Sequence, residues 1–246
     1  MKEARKLSRR SERSERRLFL ADGPKAVEGA LERPSRVLEV FATVSAAERY
    51  ADLLGPADVT LVEDRALASL SDSVNPAGLV AVVRHVEESL DTVVADHRLL
   101  ALCADIRDPG NAGTVLRCAD AAGADGVVFA GDSVDPYNPK TVRASVGSLF
   151  HVPFALERDP LAAVRAARAA GMTVLAADMD GESLFDADLS APTAWLFGNE
   201  AWGLPDELRA AADRVVSIPI YGRAESLNLS TAAAVCLYAS ARAQRS

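Results

Sequence analysis

The sequence predicts an α/β protein, and three observations carry that reading. Apolar runs of strand length alternate with helix-length stretches along most of the chain. From Leu99 onward strands alternate with helices of 7–17 residues, which implies a parallel sheet covered on both faces. A polar stretch, Ser89–Arg98, divides the alternation into two blocks. The 246 residues therefore read as a basic arm (1–17), a small α/β unit (18–88), a linker (89–98) and a larger parallel-sheet domain (99–246).

In the smaller block, Leu18–Ala21 reads as a strand leading into Asp22-Gly23-Pro24, where Asp22 stands to cap a helix over Pro24–Leu31 with Pro in its first turn. Arg36–Ala42 is a strand, and Ser45–Leu54 a helix closed by Gly55-Pro56. Val59–Val62 is a strand, Arg65–Ser71 a short helix, and Leu79–Val83 a strand behind the Asn75-Pro76-Ala77-Gly78 turn. Such alternation makes a small three-layer unit. In the larger block, strands are expected at Leu99–Ile106, Gly126–Ala130, Phe150–Ala155, Thr173–Ala177, Ala194–Phe197 and Val215–Pro219. Helices are expected at Ala112–Ala122, Lys140–Ser148, Pro160–Ala170, Pro205–Ala211 and Leu227–Ala243. There is no internal repeat.

Composition excludes several classes. Apolar content of 49% with 25% charged residues is that of a globular protein, not a disordered one. No apolar run approaches the ~20 residues of a membrane helix, and no signal peptide is expected, because only Leu18–Ala21 follows the basic start before Asp22-Gly23-Pro24. Cys103, Cys118 and Cys236 are widely spaced and set among apolar residues, as reduced thiols of a cytoplasmic protein are. His85, His97 and His151 stand apart from them, so no metal is expected. The net charge of −8 argues against nucleic-acid binding, but its distribution does not. Residues 2–17 hold eight basic side chains, Arg9, Arg10, Arg13, Arg16 and Arg17 among them, against three acidic ones. That makes the arm +5 and the remainder −13. The arm is either a solvated helical tail or a grip on phosphates by counterion release.

Three polar segments lie at strand-to-helix junctions. Asp108-Pro109-Gly110-Asn111-Ala112-Gly113 matches neither Gly-x-Gly-x-x-Gly nor the Walker pattern, which disfavours a dinucleotide enzyme. Asn111 there is either a helix cap or a ligand-facing amide, and Arg117 lies one turn beyond Gly113 and Thr114 on the helix. Gly198-Asn199-Glu200 ends an apolar strand, at the carboxyl edge where open α/β sheets bind ligands. There Gly198 permits close backbone approach and Glu200 supplies a carboxylate. Ser226, Asn228 and Ser230 crowd the start of the last helix, as caps or as site residues.

Asn111-x-Gly113-x-x-x-Arg117, Leu196-Phe197-Gly198-Asn199-Glu200-Ala201-Trp202-Gly203-Leu204-Pro205 and Ser217-Ile218-Pro219-Ile220-Tyr221-Gly222-Arg223-Ala224-Glu225-Ser226-Leu227-Asn228-Leu229-Ser230 together resemble, in order, the three motifs of the SpoU (TrmH-like) branch of the SPOUT RNA methyltransferases. The resemblance runs from about Leu99 to the end. It implies a domain whose last segment is threaded as a trefoil knot, a homodimer, and transfer of a methyl group from S-adenosylmethionine to a ribose 2′-hydroxyl of RNA. It further implies that Gly198, Ile218 and Leu227 hold the cofactor, that Ala177 stands at a cofactor-loop position often occupied by Thr, and that Asn111, Arg117, Glu200, Ser226 and Asn228 form the catalytic centre. Because an Arg pKa exceeds ~12, Arg117 is easier to picture lowering the hydroxyl's effective pKa and orienting the adjacent phosphate than acting as a free base. In relatives of this length the N-terminal block resembles a ribosomal-protein-like RNA-binding domain. Phe19–Val27 fits that pattern, with Asp22 where Glu is commoner. Ribosomal RNA is therefore favoured over tRNA as substrate. A tRNA 2′-O-methyltransferase of the same family and a non-catalytic RNA-binding module are the alternatives.

Overall fold

Leu18–Asp22 carries no polar alternation and is buried along its whole length. It is the first strand of the first of two units in a computed structural model that describes residues 1–55 and 57–245. Pro56, read as half of a helix stop, and Ser246 lie outside the described residues. Unit 1 comprises Met1–Val86 and Asp135–His151, and unit 2 comprises Glu87–Val134 and Val152–Ser246.

Unit 1 begins with α1 (Lys2–Lys6) and α2 (Arg10–Arg16), followed by β1 (Leu18–Asp22), α3 (Pro24–Leu31), β2 (Val37–Ala42), α4 (Val44–Arg49), α5 (Ala51–Leu54), β3 (Val59–Leu61), α6 (Asp64–Ala68) and β4 (Leu79–Arg84). The β-branched run of β4 sits inside a four-stranded sheet of order β1-β4-β2-β3. There β1 and β2 run antiparallel to β4, and β3 runs parallel to β2.

Two expectations change here. Residues 1–17 are not a free arm. Ala4 and Leu7 are buried with Leu18, Leu20, Phe41, Leu67 and Val80, and Arg13 is only 3% exposed. Its Nε and Nη2 donate to Asp135 Oδ2 at 2.9 and 2.6 Å, and its Nη1 donates to the carbonyls of Leu7 and Ser8. A guanidinium with its donors satisfied inside the fold is not available to phosphates, so Arg13 leaves the set of expected RNA contacts. Arg16 donates to the Glu3 carbonyl, while Arg9, Arg10 and Arg17 reach the surface. Nor does Asp22 cap α3, whose N-cap is Gly23 at φ +93° with no side-chain cap. The Asp22 carboxylate accepts from Ser71 Oγ at 2.6 Å and pairs with Arg143 at 3.6 Å. Its burial raises its pKa, against the lowering by Ser71 and Arg143.

The segment 135–151 was expected in the larger domain, yet it completes unit 1 as α9 (Pro139–Ser145) and α10 (Ser148–His151). Tyr137 is the reason. Its ring stacks on His85 at 3.8 Å and meets Phe19 at 4.6 Å, and its hydroxyl accepts from the Val86 N–H at 2.7 Å. Phe150 packs on Phe19 from α10, not from the strand expected at 150–155. Val146 and Gly147, at φ +52° and +95°, turn the chain between the two helices.

Unit 2 contains α7 (Leu90–Val94), β5 (Leu99–Ala104), α8 (Pro109–Ala122), β6 (Gly126–Ala130), β7 (Phe154–Glu157), α11 (Pro160–Ala169), β8 (Thr173–Ser183), β9 (Thr193–Phe197), α12 (Asp206–Ala211), β10 (Arg214–Ser217) and α13 (Leu229–Gln244). All six strands are parallel, in the order β10-β8-β9-β5-β6-β7. The expected linker is a helix instead. Ser89 caps α7, and Val93 and Val94 enter the core with Leu100, Leu102, Val128 and Leu196. Helix α13 packs on α8 and on β9, where Trp195 Nε1 donates to Ser240 Oγ at 2.9 Å. Ala176 pairs with Val215 but Glu182 pairs with Val216, so residues 177–181 leave the ladder as an excursion. Gly181 is required at its end, since a side chain there would overlap the Val215–Val216 backbone. Among the described residues no helix is long and apolar enough to cross a membrane.

Candidate active site

Parallel strands deliver their following loops to one edge of a sheet. In unit 2 the chain after Ala176, after β9 and after β10 lines one cavity of about 620 Å³ there, a size suited to a nucleoside-like ligand. Of the residues expected to hold the cofactor, Ala177, Gly198, Ile218 and Leu227 all line it. Of the expected catalytic residues, Glu200 and Ser226 do so.

Gly198 has a second reason beside the one read in the sequence. A side chain there would overlap the backbone of Gly203 and Leu204, so glycine is required for loop closure. Asn199 and Gly203 exchange backbone hydrogen bonds at 2.9 Å each. Asn199 Nδ2 donates to the Asp105 carbonyl at 2.7 Å, and its Oδ1 accepts from the Ala201 N–H at 2.8 Å. The buried Asn199 is thus the residue that fixes this loop, and sequence reasoning assigned it no role.

Helix α8 begins three residues before its expected start. Asp108 is its cap, accepting from the Asn111 N–H at 2.8 Å, and this frees the Asn111 side chain from capping. A polar chain then crosses the three motif segments. The Asn111 amide donates to Glu200 Oε1 and its carbonyl oxygen accepts from Asn228 Nδ2, both at 3.1 Å. Asn228 Oδ1 in turn caps α13, which starts at Leu229 rather than Leu227, by accepting from the N–H groups of Ser230 and Thr231. Burial tends to raise the Glu200 pKa. The N–H of Arg107, the Asn111 amide and the N–H of Asp108 outweigh it and hold the carboxyl below its ordinary range. Arg117 lies on the same helix, exposed and without an ion pair among the described residues, outside the cavity lining. Ser226 lies on an exposed, irregular stretch before α13. Burial raises the pKa of Cys103, with the Glu200 charge adding to it, and pushes Cys236 up to about 12. Burial raises Cys118 as well, against Arg117, so these cysteines stay protonated thiols.

Asp178, Met179 and Trp202 also line the cavity. The sequence signal for the first two was the strand end at Ala177, but nothing in it announced an excursion instead of a simple turn.

The profile of the SpoU rRNA Methylase family matches residues 98–238, and that of the MRM3-like substrate binding domain matches residues 1–81. The chain is 33% identical over 240 residues to the 23S rRNA (guanosine(2553)-2′-O)-methyltransferase RlmP of Bacillus subtilis strain 168, covering 97% of this chain and 94% of the relative. The structure is similar to the AdoMet-bound rRNA methyltransferase from Sinorhizobium meliloti, with a TM-score of 0.87, 33% identity, and 98% and 93% of the two chains covered. It is also similar to the SpoU methyltransferase AviRb from Streptomyces viridochromogenes in complex with AdoMet, with a TM-score of 0.86, 32% identity, and 98% and 96% covered.

Proposed function

The chain belongs to the SpoU rRNA Methylase family, and on that footing we propose that it transfers a methyl group from S-adenosylmethionine to a ribose 2′-hydroxyl of ribosomal RNA. The observation that carries the reading is the hydrogen-bonded chain Glu200–Asn111–Asn228, which ties three distant segments to the edge of one cavity. A passive RNA-binding module has no need of that arrangement. The cavity walls fit the cofactor: Phe197, Ile218 and Leu227 offer apolar surface, and Ala177 and the pinned loop at Gly198 offer backbone groups. When bound, S-adenosylmethionine supplies a methyl group activated on a sulfonium.

The protein's own residues supply the rest. Arg117 approaches the attacking hydroxyl and its neighbouring phosphate. There its fixed charge stabilises the developing alkoxide and its planar fork sets direction. Ser226 and Asn228 face the ribose, and Glu200 fixes the start of α8 and the Asn111 amide toward it. Ribosomal RNA is preferred to tRNA because two relatives that align with nearly the whole chain, the N-terminal residues included, are named rRNA methyltransferases. Unit 1 carries sixteen basic against fourteen acidic side chains, and unit 2 eleven against twenty-one. RNA is therefore gripped through unit 1, with Arg9, Arg10, Arg16 and Arg17 contributing, and only the target nucleotide needs to enter the acidic unit 2. The enzyme is cytoplasmic and a homodimer with a trefoil knot in unit 2. Exposed Ile220, Tyr221 and Tyr238 support the dimer, and light scattering at the mass of two chains is its test.

Mapping 2′-O-methyl positions on total RNA with and without the gene tests the proposal. One ribosomal position should lose its mark. A lost tRNA mark would favour the tRNA reading, and no loss at all would favour the non-catalytic module.

A further inference from the structure

Among the described residues, those that line the cavity include three carboxylates, Asp178, Glu200 and Glu225, and no lysine, arginine or histidine. The three are not equivalent. Glu200 is engaged by the N–H groups of Arg107 and Asp108 and by the Asn111 amide. Glu225 stands on exposed, irregular chain. Asp178 is held in place, with its side chain only 22% exposed. It sits in the 177–181 excursion, which Gly181 clamps against Val215 and Val216. Its Oδ1 accepts from the Met179 N–H at 2.6 Å, and its Oδ2 lies 3.9 Å from Arg209 Nε, too far for a hydrogen bond. Arg209 itself does not line the cavity.

We propose that Asp178 reads the positive charge of the sulfonium, so that the site prefers the methyl donor to the neutral thioether left after transfer. This rests on the S-adenosylmethionine reading above and adds a specificity residue to it. During transfer the bond between methyl carbon and sulfur breaks with its electron pair staying on sulfur. The ribose oxygen bonds the carbon, and its proton leaves to solvent. The ligand thereby loses one positive charge while its adenosine and amino-acid parts are unchanged. A fixed carboxylate, offset only in part by the Arg209 charge 3.9 Å away and outside the lining, attracts the ligand more strongly before the reaction than after it, which biases the site toward releasing product. At the separations a cavity of this size allows, and at the effective dielectric of a partly exposed site, one such charge changes affinity by roughly five-fold.

Calorimetry on the full chain with S-adenosylmethionine and, separately, S-adenosylhomocysteine tests this in three proteins: unmodified, Asp178→Asn and Glu225→Gln. The Asn variant keeps the oxygen that accepts from Met179, and thermal melting verifies that it folds. The unmodified protein should bind the donor more tightly than the product. Asp178→Asn should weaken the donor roughly five-fold and leave the product unchanged, whereas Glu225→Gln should move either ligand much less. Equal weakening of both ligands by Asp178→Asn would mean that Asp178 binds a group they share, and would overturn the inference while leaving the donor reading intact. No change in either ligand would overturn it as well. If neither ligand bound the unmodified protein, the donor reading would fail and this inference with it.

Discussion

Arg117 is the residue on which the proposed chemistry depends most. It is exposed on α8, clear of the cavity lining, and no described carboxylate neutralises it. Arg117→Ala should therefore abolish methyl transfer while cofactor affinity, measured by calorimetry, stays within a few-fold. Arg117→Lys should fail nearly as badly, since a point charge does not reproduce a planar fork. Retained activity in the Lys variant would reduce the role to charge alone. Glu200 makes a different prediction. Its folded pKa is depressed, so its stabilising contribution is present above the ordinary carboxylate pKa and is lost only as pH falls through the lower, folded value. Cofactor affinity should consequently stay flat from pH 8 to about 5 as far as Glu200 is concerned, and Glu200→Gln should not change the shape of that profile. A midpoint near pH 6 that disappears in the Gln variant would contradict this. These two residues stood out in the sequence because each sits in a motif at a strand-to-helix junction. Asn199 did not, because its work is done through hydrogen bonds to Asp105 and Ala201 that only the folded loop brings together.

Elements with a strong local signal formed as read. Pro24–Leu31 and Gly126–Ala130 match to the residue, and the parallel order of unit 2 follows from its crossover helices. Elements decided by tertiary partners did not. Ser89–Arg98 reads as polar linker because six of its ten residues are polar, yet Val93 and Val94 are buried, Val93 beside the start of β6. Arg13 reads as solvent-facing because nothing in the local sequence announces Asp135, 122 residues away. Burial of that ion pair yields a prediction. Arg13→Ala leaves the Asp135 carboxylate, 12% exposed, without its charge partner, and should cost about 3–5 kcal/mol. Chemical denaturation is the check, and the double variant with Asp135→Asn should recover part of the loss. A change below about 1 kcal/mol would place the pair in effective contact with water. The same reasoning groups 135–151 with unit 1, since Tyr137 and Phe150 pack on Phe19, although the SpoU profile spans this segment.

For the whole molecule, charge is divided as the proposed chemistry requires. A net-negative chain that handles RNA is contradictory only if the charge is averaged. Unit 1 is net +2 and unit 2 net −10, counted from the sequence. Replacing Arg9, Arg10 and Arg17 together by Gln should weaken rRNA binding and flatten the dependence of log affinity on log salt. The slope should change by roughly 0.7–0.9 for each phosphate that is no longer neutralised. An unchanged slope would return these side chains to ordinary solvated surface. Charge asymmetry was legible in the sequence as a basic N-terminus. Its packing into α1 and α2, against a sheet whose partners come from residues up to 135–151, was not.

The central claim is that this chain methylates a ribose hydroxyl of ribosomal RNA. The most direct measurement is methyl transfer by the purified chain from labelled S-adenosylmethionine to unmodified 23S rRNA, with tRNA in parallel, followed by nucleoside analysis of the labelled product. Label is expected in the rRNA alone, in a single 2′-O-methyl nucleoside, and none with Arg117→Ala. Label on a base, label confined to tRNA, or undiminished transfer by the Arg117→Ala variant would contradict it.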